Sequence, residues 1–244
     1  MKSYAVIPAR YASTRFPGKP LALLNGKPIL QHVYENVQAS ALFDEVFIAT
    51  DDLRISAAGE SFGAAVIMTD SNLPSGTDRV AAICEMLEPD SVIVNVQGDE
   101  PLISKEPLAA LLKAFEESSV KMASLITALS DPQDLANPNI VKVVLDACSN
   151  ALYFSRSPIP FDRDNSGNIT YYRHIGVYAF RYQTLLDFVA FPLGKLEQIE
   201  KLEQLRALEH GIAIRMVQTN YQGIGIDSPE DLIMAHKAFN GDSF

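Results

Sequence analysis

Hydrophobic positions in the first half of the chain fall into two kinds of segment, short continuous runs and stretches with helical spacing. The continuous runs are rich in β-branched residues, which is typical of strands buried on both faces, and lie at residues 4–7, 46–48, 65–67 and 92–96. Apolar residues three and four apart predict helices at residues 28–39, 77–87 and 106–115. Strands that alternate with helices predict a doubly wound α/β fold, in which a mostly parallel sheet is built through right-handed crossovers.

The pattern changes in the second half of the chain. Strand-like segments follow one another at residues 122–129, 140–146, 151–154, 173–180 and 213–219, and the polar turn at 146–150 predicts a hairpin. Residues 196–209 have the strongest helical pattern. A short strand is expected at 223–227, before a terminal helix that Ser228, Pro229 and Asp231 begin. The turn-rich loop at 158–168 is of the kind that forms lids or binding elements.

The composition narrows the function classes. The chain has 244 residues, 20 basic and 30 acidic side chains and a formal charge of −10, which argues against non-specific binding of nucleic acid. Apolar residues make up 48% of the chain, enough for a sizeable core, and no run approaches the roughly 20 residues of a membrane span. The first residues lack the apolar stretch of a secretory signal, and two cysteines allow at most one disulfide. We therefore expect a cytoplasmic, globular protein that binds neither nucleic acid nor membranes.

A loop after the first predicted strand carries three cations in an otherwise acidic chain. Arg10, Arg15 and Lys19 lie there among small residues, at the strand end where open α/β sheets bind ligands. Guanidinium groups match phosphate oxygens, and Gly18 lets backbone N–H groups approach an anion closely. No Walker A loop occurs, and no G-x-G-x-x-G turn follows a predicted strand. The loop is predicted to bind phosphates, with a solvated basic loop as the alternative.

Carboxylates follow two other predicted strands. Asp99 and Glu100 come after the strand at 92–96, and Asp227 ends the short strand at 223–227. Parallel strands of one sheet place such residues at a common edge, where hard oxygen ligands suit Mg²⁺ shared with phosphates. The alternatives are solvated acids in a turn at 99–100 and, at Asp227, an acid that stabilises the next helix through its dipole.

Further candidates are ambiguous when each is taken alone. Ser75 and Arg79 open a predicted helix whose free amides could read a nucleobase edge or bind an anion, although a capped helix start explains them equally well. In the second half, His174 could be an ordinary sheet residue. Glu203 and Gln204 could form the polar face of a helix.

The combination of motifs is far more specific than any one of them. IPARYASTRFPGKPL, SGTDR, VNVQGDEP, NPNIVKVVLD, ALYFSR, RHIGVYAF and IDSPEDL occur in this order over residues 4–235. In this the chain resembles the 3-deoxy-manno-octulosonate cytidylyltransferases, the CMP-Kdo synthetases of Gram-negative lipopolysaccharide synthesis. The resemblance implies one nucleotide-diphospho-sugar transferase-like, Rossmann-like domain over residues 1–244. Its nucleotide-binding half would be 1–120, its sugar-acid-binding and dimerisation half 121–220, and its metal-ligand strand and terminal helix 221–244.

The resemblance also implies a reaction and its residues. CMP would pass from CTP to 3-deoxy-D-manno-octulosonate (Kdo), with release of pyrophosphate. Arg10, Arg15 and Lys19 would hold the triphosphate, and Lys19 would stabilise the charge that develops during transfer. Asp99 and Asp227 would coordinate one or two Mg²⁺ ions, held partly by the CTP phosphates and Kdo. The cytosine and neighbouring groups would contact Ser75, Gly76, Arg79 and Gln97. The Kdo pocket would contain Arg156, His174, Tyr178, Glu203 and Gln204.

Two other functions stay open at this point. A related synthetase could activate 8-amino-Kdo or a sialate, and a non-catalytic nucleotide-binding protein could use the same fold. The family further implies a homodimer. Its interface is expected in the adjoining strands and in an apolar row that core packing explains equally well, namely Leu196, Ile199, Leu202, Leu205 and Leu208.

Overall fold

The computed structural model describes residues 1–12, 16–164, 166–223, 225–226 and 228–239. The strands are β1 (Ser3–Ala9), β2 (Leu23–Leu24), β3 (Lys27–Pro28), β4 (Glu45–Thr50), β5 (Ala65–Met68), β6 (Val92–Asn95), β7 (Met122–Ala128), β8 (Lys142–Leu145), β9 (Ala151–Ser155), β10 (Tyr172–Arg181) and β11 (Ile214–Gln218). The α-helices are α1 (Ile29–Ala39), α2 (Leu53–Ser61), α3 (Gly76–Ala81), α4 (Lys105–Lys113), α5 (Pro132–Ala136), α6 (Tyr182–Ala190), α7 (Lys195–Glu200), α8 (Leu205–Glu209) and α9 (Pro229–Phe239). Short 3₁₀ turns lie at Lys19–Leu21, Cys84–Met86 and Ala114–Glu116.

The chain divides into two compact units, and the first contains the doubly wound sheet. It comprises residues 1–108 and 223–244, and the second comprises 109–222. In the first unit the strand order is β5-β4-β1-β6, and the pairings of β1 with β4, β1 with β6 and β4 with β5 are parallel. The predicted α/β class with a mostly parallel sheet is therefore confirmed.

Burial explains why one helix of the first unit is readable from the sequence and another is not. Ile29, Val33 and Val37 of α1 are fully buried along one stripe, as their spacing predicts. Helix α2 was not predicted, because its apolar Leu53 is 77% exposed. Gly59 of α2 is needed for close packing, since a Cβ there would lie 2.6 Å from Val66 Cγ2.

The second unit is built around β7. Strand β11 pairs with β7 in parallel and β10 pairs with it antiparallel, and β8 joins the other side of β10. The predicted hairpin of β8 and β9 is confirmed, with Val143 opposite Phe154. Its turn is held by the Asp146 carboxylate, whose Oδ1 accepts N–H groups from Cys148 at 2.8 Å and Asn150 at 2.7 Å. Local side-chain bonding of this kind is what makes a polar turn legible in a sequence.

Three predicted elements need correction. The helix expected at 196–209 is divided into α7 and α8, because Lys201 adopts the left-handed conformation at φ 55°. The helix expected at 77–87 ends at Ala81 and is followed by a 3₁₀ turn, although its apolar residues are buried. The strand expected at 223–227 does not form over the described residues of that segment, where Gly223 has a φ of 62°, outside the range of regular strand backbone.

The two cysteines are free thiols. Cys84 is buried, and burial raises the pKa of its thiol to about 12, so it stays protonated at neutral pH. Cys148 is exposed. Over the parts of the chain that are described, no helix is long and apolar enough to cross a membrane.

A buried ion pair joins the two helices that replace the predicted long one. Arg206 donates to both carboxylate oxygens of Glu197, at 2.9 and 2.6 Å, and its guanidinium lies 4.9 Å from the ring centre of Phe188. Arg206→Met should lower the free energy of unfolding by about 3–5 kcal/mol, because it leaves a buried, unpaired carboxylate. Urea unfolding measures this change.

The exposed Arg163→Met variant is the matched control for that experiment, since it also replaces an arginine of the second unit with methionine. It should unfold like the parent protein. Adding Glu197→Gln to Arg206→Met should restore part of the loss, because the uncompensated buried charge is then removed. Equal unfolding midpoints for Arg206→Met and the parent would show that the pair does not stabilise the α7–α8 junction.

Candidate active site

A pocket in the first unit gathers most of the residues that the sequence points to. It lies at the carboxyl ends of β1 and β6 and beside the start of α3. Its lining consists of Pro8, Ala9, Arg10, Lys19, Pro20, Leu73, Ser75, Gly76, Arg79, Gln97, Gly98 and Asp99. Six of the seven predicted nucleotide-binding residues and one of the two predicted metal ligands are thus together. Arg15 and Asp227 lie outside the described residues.

The cation loop is shaped by Gly18. This residue has a φ of 71°, and its N–H donates to the Tyr11 carbonyl at 3.0 Å. A Cβ at Gly18 would lie 3.0 Å from the Tyr11 ring, so both the backbone conformation and the close approach require glycine. The guanidinium of Arg54 covers the same ring, 3.3 Å from its centre. This folded loop leads directly into the 3₁₀ turn that carries Lys19.

Lys19 and Asp99 form an ion pair within the pocket. Lys19 Nζ donates to Asp99 Oδ2 at 2.6 Å, and their side chains are 15% and 25% exposed. Gly98 brings this acid close to β1, because a Cβ at Gly98 would lie 3.1 Å from the Pro8 carbonyl oxygen. The N–H of Ile226 donates to the backbone carbonyl of Asp99 at 3.0 Å. The segment that immediately precedes residue 227 is therefore bonded to the residue that carries the first predicted ligand.

Arg79 is almost fully buried and held from several sides. Its Nη1 donates to Thr69 Oγ1 and, at 3.5 Å, to the Asp70 carbonyl, and its Nη2 lies 3.4 Å from Asp51 Oδ2. Asp51 was not predicted from the sequence, although it follows β4 just as Asp99 follows β6, at the same edge of the sheet. Asp51 Oδ1 is buried and has no hydrogen-bond partner within the described structure. These contacts fix the guanidinium of Arg79 before any ligand arrives.

The start of α3 and the end of β6 are also ordered by polar contacts. Ser75 caps α3, since its Oγ accepts the Asp78 N–H at 3.1 Å and donates to Asp78 Oδ2 at 2.5 Å. Gln97 Nε2 donates to Asn95 Oδ1 at 3.1 Å, and Asn95 Nδ2 donates to Thr77 Oγ1 at 3.2 Å. Asn95 and Thr77 are buried. The amide of Gln97, which lines the pocket, is therefore held in place by Asn95 and Thr77. No signal in the sequence predicted these two supporting residues.

In the second unit the structure brings three of the predicted sugar-acid residues together. The rings of His174 and Tyr178 are 5.4 Å apart between centres. Burial lowers the pKa of His174 to about 3, with a smaller contribution from the charge of Arg173. Burial also raises the pKa of Tyr178 well above its usual value, and the negative charge of Glu203 adds to that shift. At neutral pH this cluster therefore combines a neutral imidazole, a protonated phenol and a carboxylate.

Arg156 is tied to backbone carbonyls. Its Nε donates to the Glu200 carbonyl at 2.8 Å, its Nη1 to the Pro138 carbonyl at 2.9 Å and its Nη2 to the Lys201 carbonyl at 3.4 Å. The Glu200 carboxylate in turn accepts the Arg156 N–H at 3.0 Å. These contacts capture the carbonyls at the end of α7, which explains why the predicted long helix is interrupted there.

Gln204 follows this interruption and carries an unsatisfied donor. The residue is 4% exposed, and its Nε2 is buried with no hydrogen-bond partner among the described residues. Leaving a buried donor unpaired costs about 1–3 kcal/mol. Such an amide is suited to receive an acceptor oxygen from a ligand.

The donor chemistry of the pocket is compatible with magnesium. Asp99 presents a carboxylate whose Oδ1 has no hydrogen-bond donor among the described residues, and carboxylate oxygens are ligands that Mg²⁺ prefers. No group of three or more His, Cys, Asp or Glu side chains in the described ranges could hold a metal by itself. The residues therefore fit an ion shared with phosphate oxygens.

Known proteins that are similar to this chain are cytidylyltransferases. The family model described as Cytidylyltransferase matches residues 4–214. A 3-deoxy-manno-octulosonate cytidylyltransferase from Thermodesulfovibrio yellowstonii is 50% identical over 252 aligned positions, covering 98% of this chain and 99% of the relative. The protein of that name from Nitratidesulfovibrio vulgaris is 51% identical, covering 94% and 92%.

Solved structures include one similar in sequence and fold and one similar in fold alone. A CMP:2-keto-3-deoxy-manno-octonic acid synthetase complexed with CTP is 40% identical, covers all of both chains and superposes with a TM-score of 0.94. A 4-diphosphocytidyl-2C-methyl-D-erythritol synthase from Anaerococcus prevotii shares the fold, with a TM-score of 0.65 at 16% identity over 98% of this chain and 99% of its own.

Proposed function

The chain belongs to the 3-deoxy-manno-octulosonate cytidylyltransferase family, and we propose that it transfers CMP from CTP to the anomeric hydroxyl of Kdo. The products are CMP-Kdo and pyrophosphate, and the activated sugar serves lipopolysaccharide synthesis. The observation that carries the proposal is one pocket whose lining includes Arg10, Lys19 and Arg79 together with Asp99, which is paired with Lys19. A chain with a net charge of −10 concentrates cations where a triphosphate has to bind.

The reaction is a phosphoryl transfer. The anomeric C2 hydroxyl of Kdo loses its proton to solvent as its oxygen attacks the α-phosphorus of CTP. The bond between that phosphorus and the oxygen it shares with the β-phosphate breaks, and pyrophosphate leaves with the electron pair. Two polyanions must approach each other, so positive charge and positioning are the main contributions that a protein can make. We assign Arg10 and Arg15 to the triphosphate. Lys19 is assigned to the charge that develops around the α-phosphoryl group.

Recognition of cytosine is assigned to the start of α3 and the end of β6. Ser75, Gly76, Arg79 and Gln97 line the pocket there. Arg79 is held by Asp51 and Thr69, and Gln97 is held by Asn95. Donors that are fixed in advance lose little conformational freedom on binding, which favours selection of one base over another.

Magnesium is proposed as the cofactor, held by Asp99 and Asp227 together with oxygens of CTP and Kdo. The bond from the Ile226 N–H to the Asp99 carbonyl supports this pairing, because Asp227 is the next residue in the chain. When bound, the ion would neutralise phosphate charge and polarise the phosphoryl oxygen. Lys19 holds the Asp99 carboxylate at 2.6 Å and so keeps it oriented.

Kdo is assigned to residues of the second unit, namely Arg156, His174, Tyr178, Glu203 and Gln204. Three of them form one cluster. The unpaired Nε2 of Gln204 offers a donor for an oxygen of the sugar acid. Arg156 also holds the end of α7, because it donates to the carbonyls of Glu200 and Lys201. We propose that it contacts the Kdo carboxylate directly as well.

We further propose a cytoplasmic homodimer. Part of the apolar row is available for an interface, since Ile199 is 77% and Leu196 36% exposed, whereas Leu202 and Leu205 are buried within the second unit. Leu152 and Leu193, also of the second unit, are 61% and 63% exposed. A contiguous apolar patch is typical of a protein interface, and these exposed side chains are the ones that could contribute to it.

A coupled pyrophosphate assay tests the substrate assignment. Release is expected with CTP, Kdo and Mg²⁺, and should be at least about 100-fold slower with ATP, GTP or UTP, because a polar base-recognition site rejects bases that leave its groups unpaired. Omitting Mg²⁺ should abolish it. Faster release with 8-amino-Kdo or a sialate than with Kdo would assign a different acceptor. CTP binding by calorimetry without turnover of any sugar acid would support the non-catalytic alternative.

A further inference from the structure

A bulge in β10 surrounds the hydroxyl of Ser124, a fully buried residue of β7. The register between β7 and β10 shifts between Ile175 and Tyr178. As a result Ser124 Oγ lies 3.1 Å from the Ile175 carbonyl oxygen, 2.9 Å from the Val177 carbonyl oxygen and 2.9 Å from His174 Nε2. Bulges commonly redirect side chains next to functional sites. This one sets a serine, two carbonyls and a histidine against each other in a closed space.

Counting protons assigns the direction of these bonds. A serine hydroxyl has one proton and two lone pairs, and a carbonyl oxygen only accepts. If the hydroxyl donated to His174 Nε2, the oxygens of Ile175 and Val177 would both face a Ser124 lone pair in the protein interior. If Nε2 carries the imidazole proton and donates to Ser124 Oγ, the hydroxyl proton is free for the carbonyls. The second arrangement leaves fewer unsatisfied buried acceptors and is favoured.

The surroundings keep the imidazole neutral. His174 is 8% exposed and is packed edge-on against Phe154 of β9, with ring centres 5.0 Å apart. Tyr178 contacts the His174 ring, and the positive charge of Arg173 disfavours protonation of that ring. The charge of Glu203 raises the pKa of the Tyr178 hydroxyl. Burial lowers the pKa of His174 to about 3, so the ring carries a single proton at neutral pH.

We propose that Ser124 is a positioning residue that holds His174 as the Nε2–H tautomer and thereby presents the Nδ1 lone pair to a hydroxyl group of the sugar acid. Nδ1 makes no hydrogen bond to any residue that the structure describes. The tautomer follows from the protein alone, whereas the ligand contact rests on the proposed function. His174 selects for a hydroxyl at this point, because a carboxylate oxygen has no proton to donate and would meet the Nδ1 lone pair.

Nitrogen-15 NMR of the histidine-labelled protein tests the tautomer without any activity measurement. The chain has four histidines, and the His174→Gln variant assigns the signal. Nε2 should resonate as a protonated nitrogen and Nδ1 as an unprotonated one, with no titration between pH 5 and 8. Addition of Kdo should shift Nδ1 more than Nε2. A protonated Nδ1, or a ring that titrates near its ordinary pKa, overturns the tautomer, and an Nδ1 signal unaffected by saturating Kdo overturns the ligand contact.

Kinetics of Ser124→Ala, compared with Ser124→Thr, test the positioning role. The alanine variant should raise the KM for Kdo about tenfold, the effect of one lost hydrogen bond, and leave the KM for CTP unchanged. Ser124→Thr keeps the hydroxyl and should restore the KM for Kdo. Ser91→Ala is the matched control, since Ser91 is also a buried serine, but its Oγ has no partner in the described structure. Equal KM values for Kdo in Ser124→Ala and Ser91→Ala overturn the proposal. If Ser124→Ala does not fold, the NMR measurement on the unaltered protein decides.

Discussion

Asp99→Asn is expected to leave a folded protein whose turnover is about 10²- to 10³-fold lower at saturating CTP, Kdo and Mg²⁺. The substitution keeps the size of the side chain but removes its negative charge. That charge pairs with Lys19, and we propose that the same carboxylate binds magnesium. Loss of one preorganised electrostatic contact commonly lowers turnover by that factor. Steady-state pyrophosphate release measures the effect. We expect Asp227→Asn to behave in the same way.

Asp90→Asn supplies the control for this prediction. Asp90 is an exposed acid in the same unit and has a φ of 67°, a conformation that asparagine tolerates. The control variant therefore makes the same chemical change outside the pocket and should keep normal turnover. Normal turnover of Asp99→Asn or Asp227→Asn at saturating Mg²⁺ would remove that residue from the metal site.

The buried strands of the first unit could be predicted because strands that are covered on both faces appear in the sequence as continuous apolar runs. Val6 and Val94 are fully buried and lie in β-branched runs that are typical of strands covered on both faces. The first-unit sheet edge was predictable for the same reason, since parallel strands end at a common edge. That argument placed Lys19 and Asp99 together from positions 80 residues apart, and the observed 2.6 Å contact confirms their proximity.

Other features depend on contacts that have no local signal. The break at Lys201 is set by Arg156, which is distant in sequence and binds the carbonyls of residues 200 and 201. Lys142 is fully buried without a described carboxylate partner, and its Nζ donates hydrogen bonds to the carbonyls of Asn137, Ile140 and Arg156. Contacts of this kind can interrupt a helix despite its apolar spacing and can bury a side chain despite its charge. They are invisible in a pattern of single residues.

The second-unit candidates show the same limit from another side. His174 and Gln204 came from the resemblance alone, because a histidine in a strand and a glutamine in an apparent helix have ordinary explanations. Only the structure shows that His174 lies in a bulge and that the Gln204 amide is buried and unpaired. Asp51 is the opposite case. It follows a buried strand, as Asp99 does, and the same rule applied to β4 would have found it.

Lys19→Met is expected to lower turnover by about 10²- to 10³-fold while changing the KM for CTP by less than about threefold. We assign Lys19 to charge that appears as the bond to pyrophosphate breaks, so its contact strengthens in the transition state and contributes little to ground-state binding. Methionine preserves the unbranched length of the side chain without its charge. Steady-state kinetics with CTP as the varied substrate separate kcat from KM.

Two comparisons make this result specific to Lys19. Lys27→Met removes the same charge from a lysine that is 48% exposed and pairs with Glu35, and it should have normal kinetics. In the double variant Lys19→Met with Asp99→Asn, the loss should be smaller than the product of the two single losses, because the two side chains contact each other at 2.6 Å and their effects are therefore not independent. An effect of Lys19→Met confined to the KM for CTP would make Lys19 a binding residue, and fully multiplicative losses would show that the ion pair has no part in catalysis.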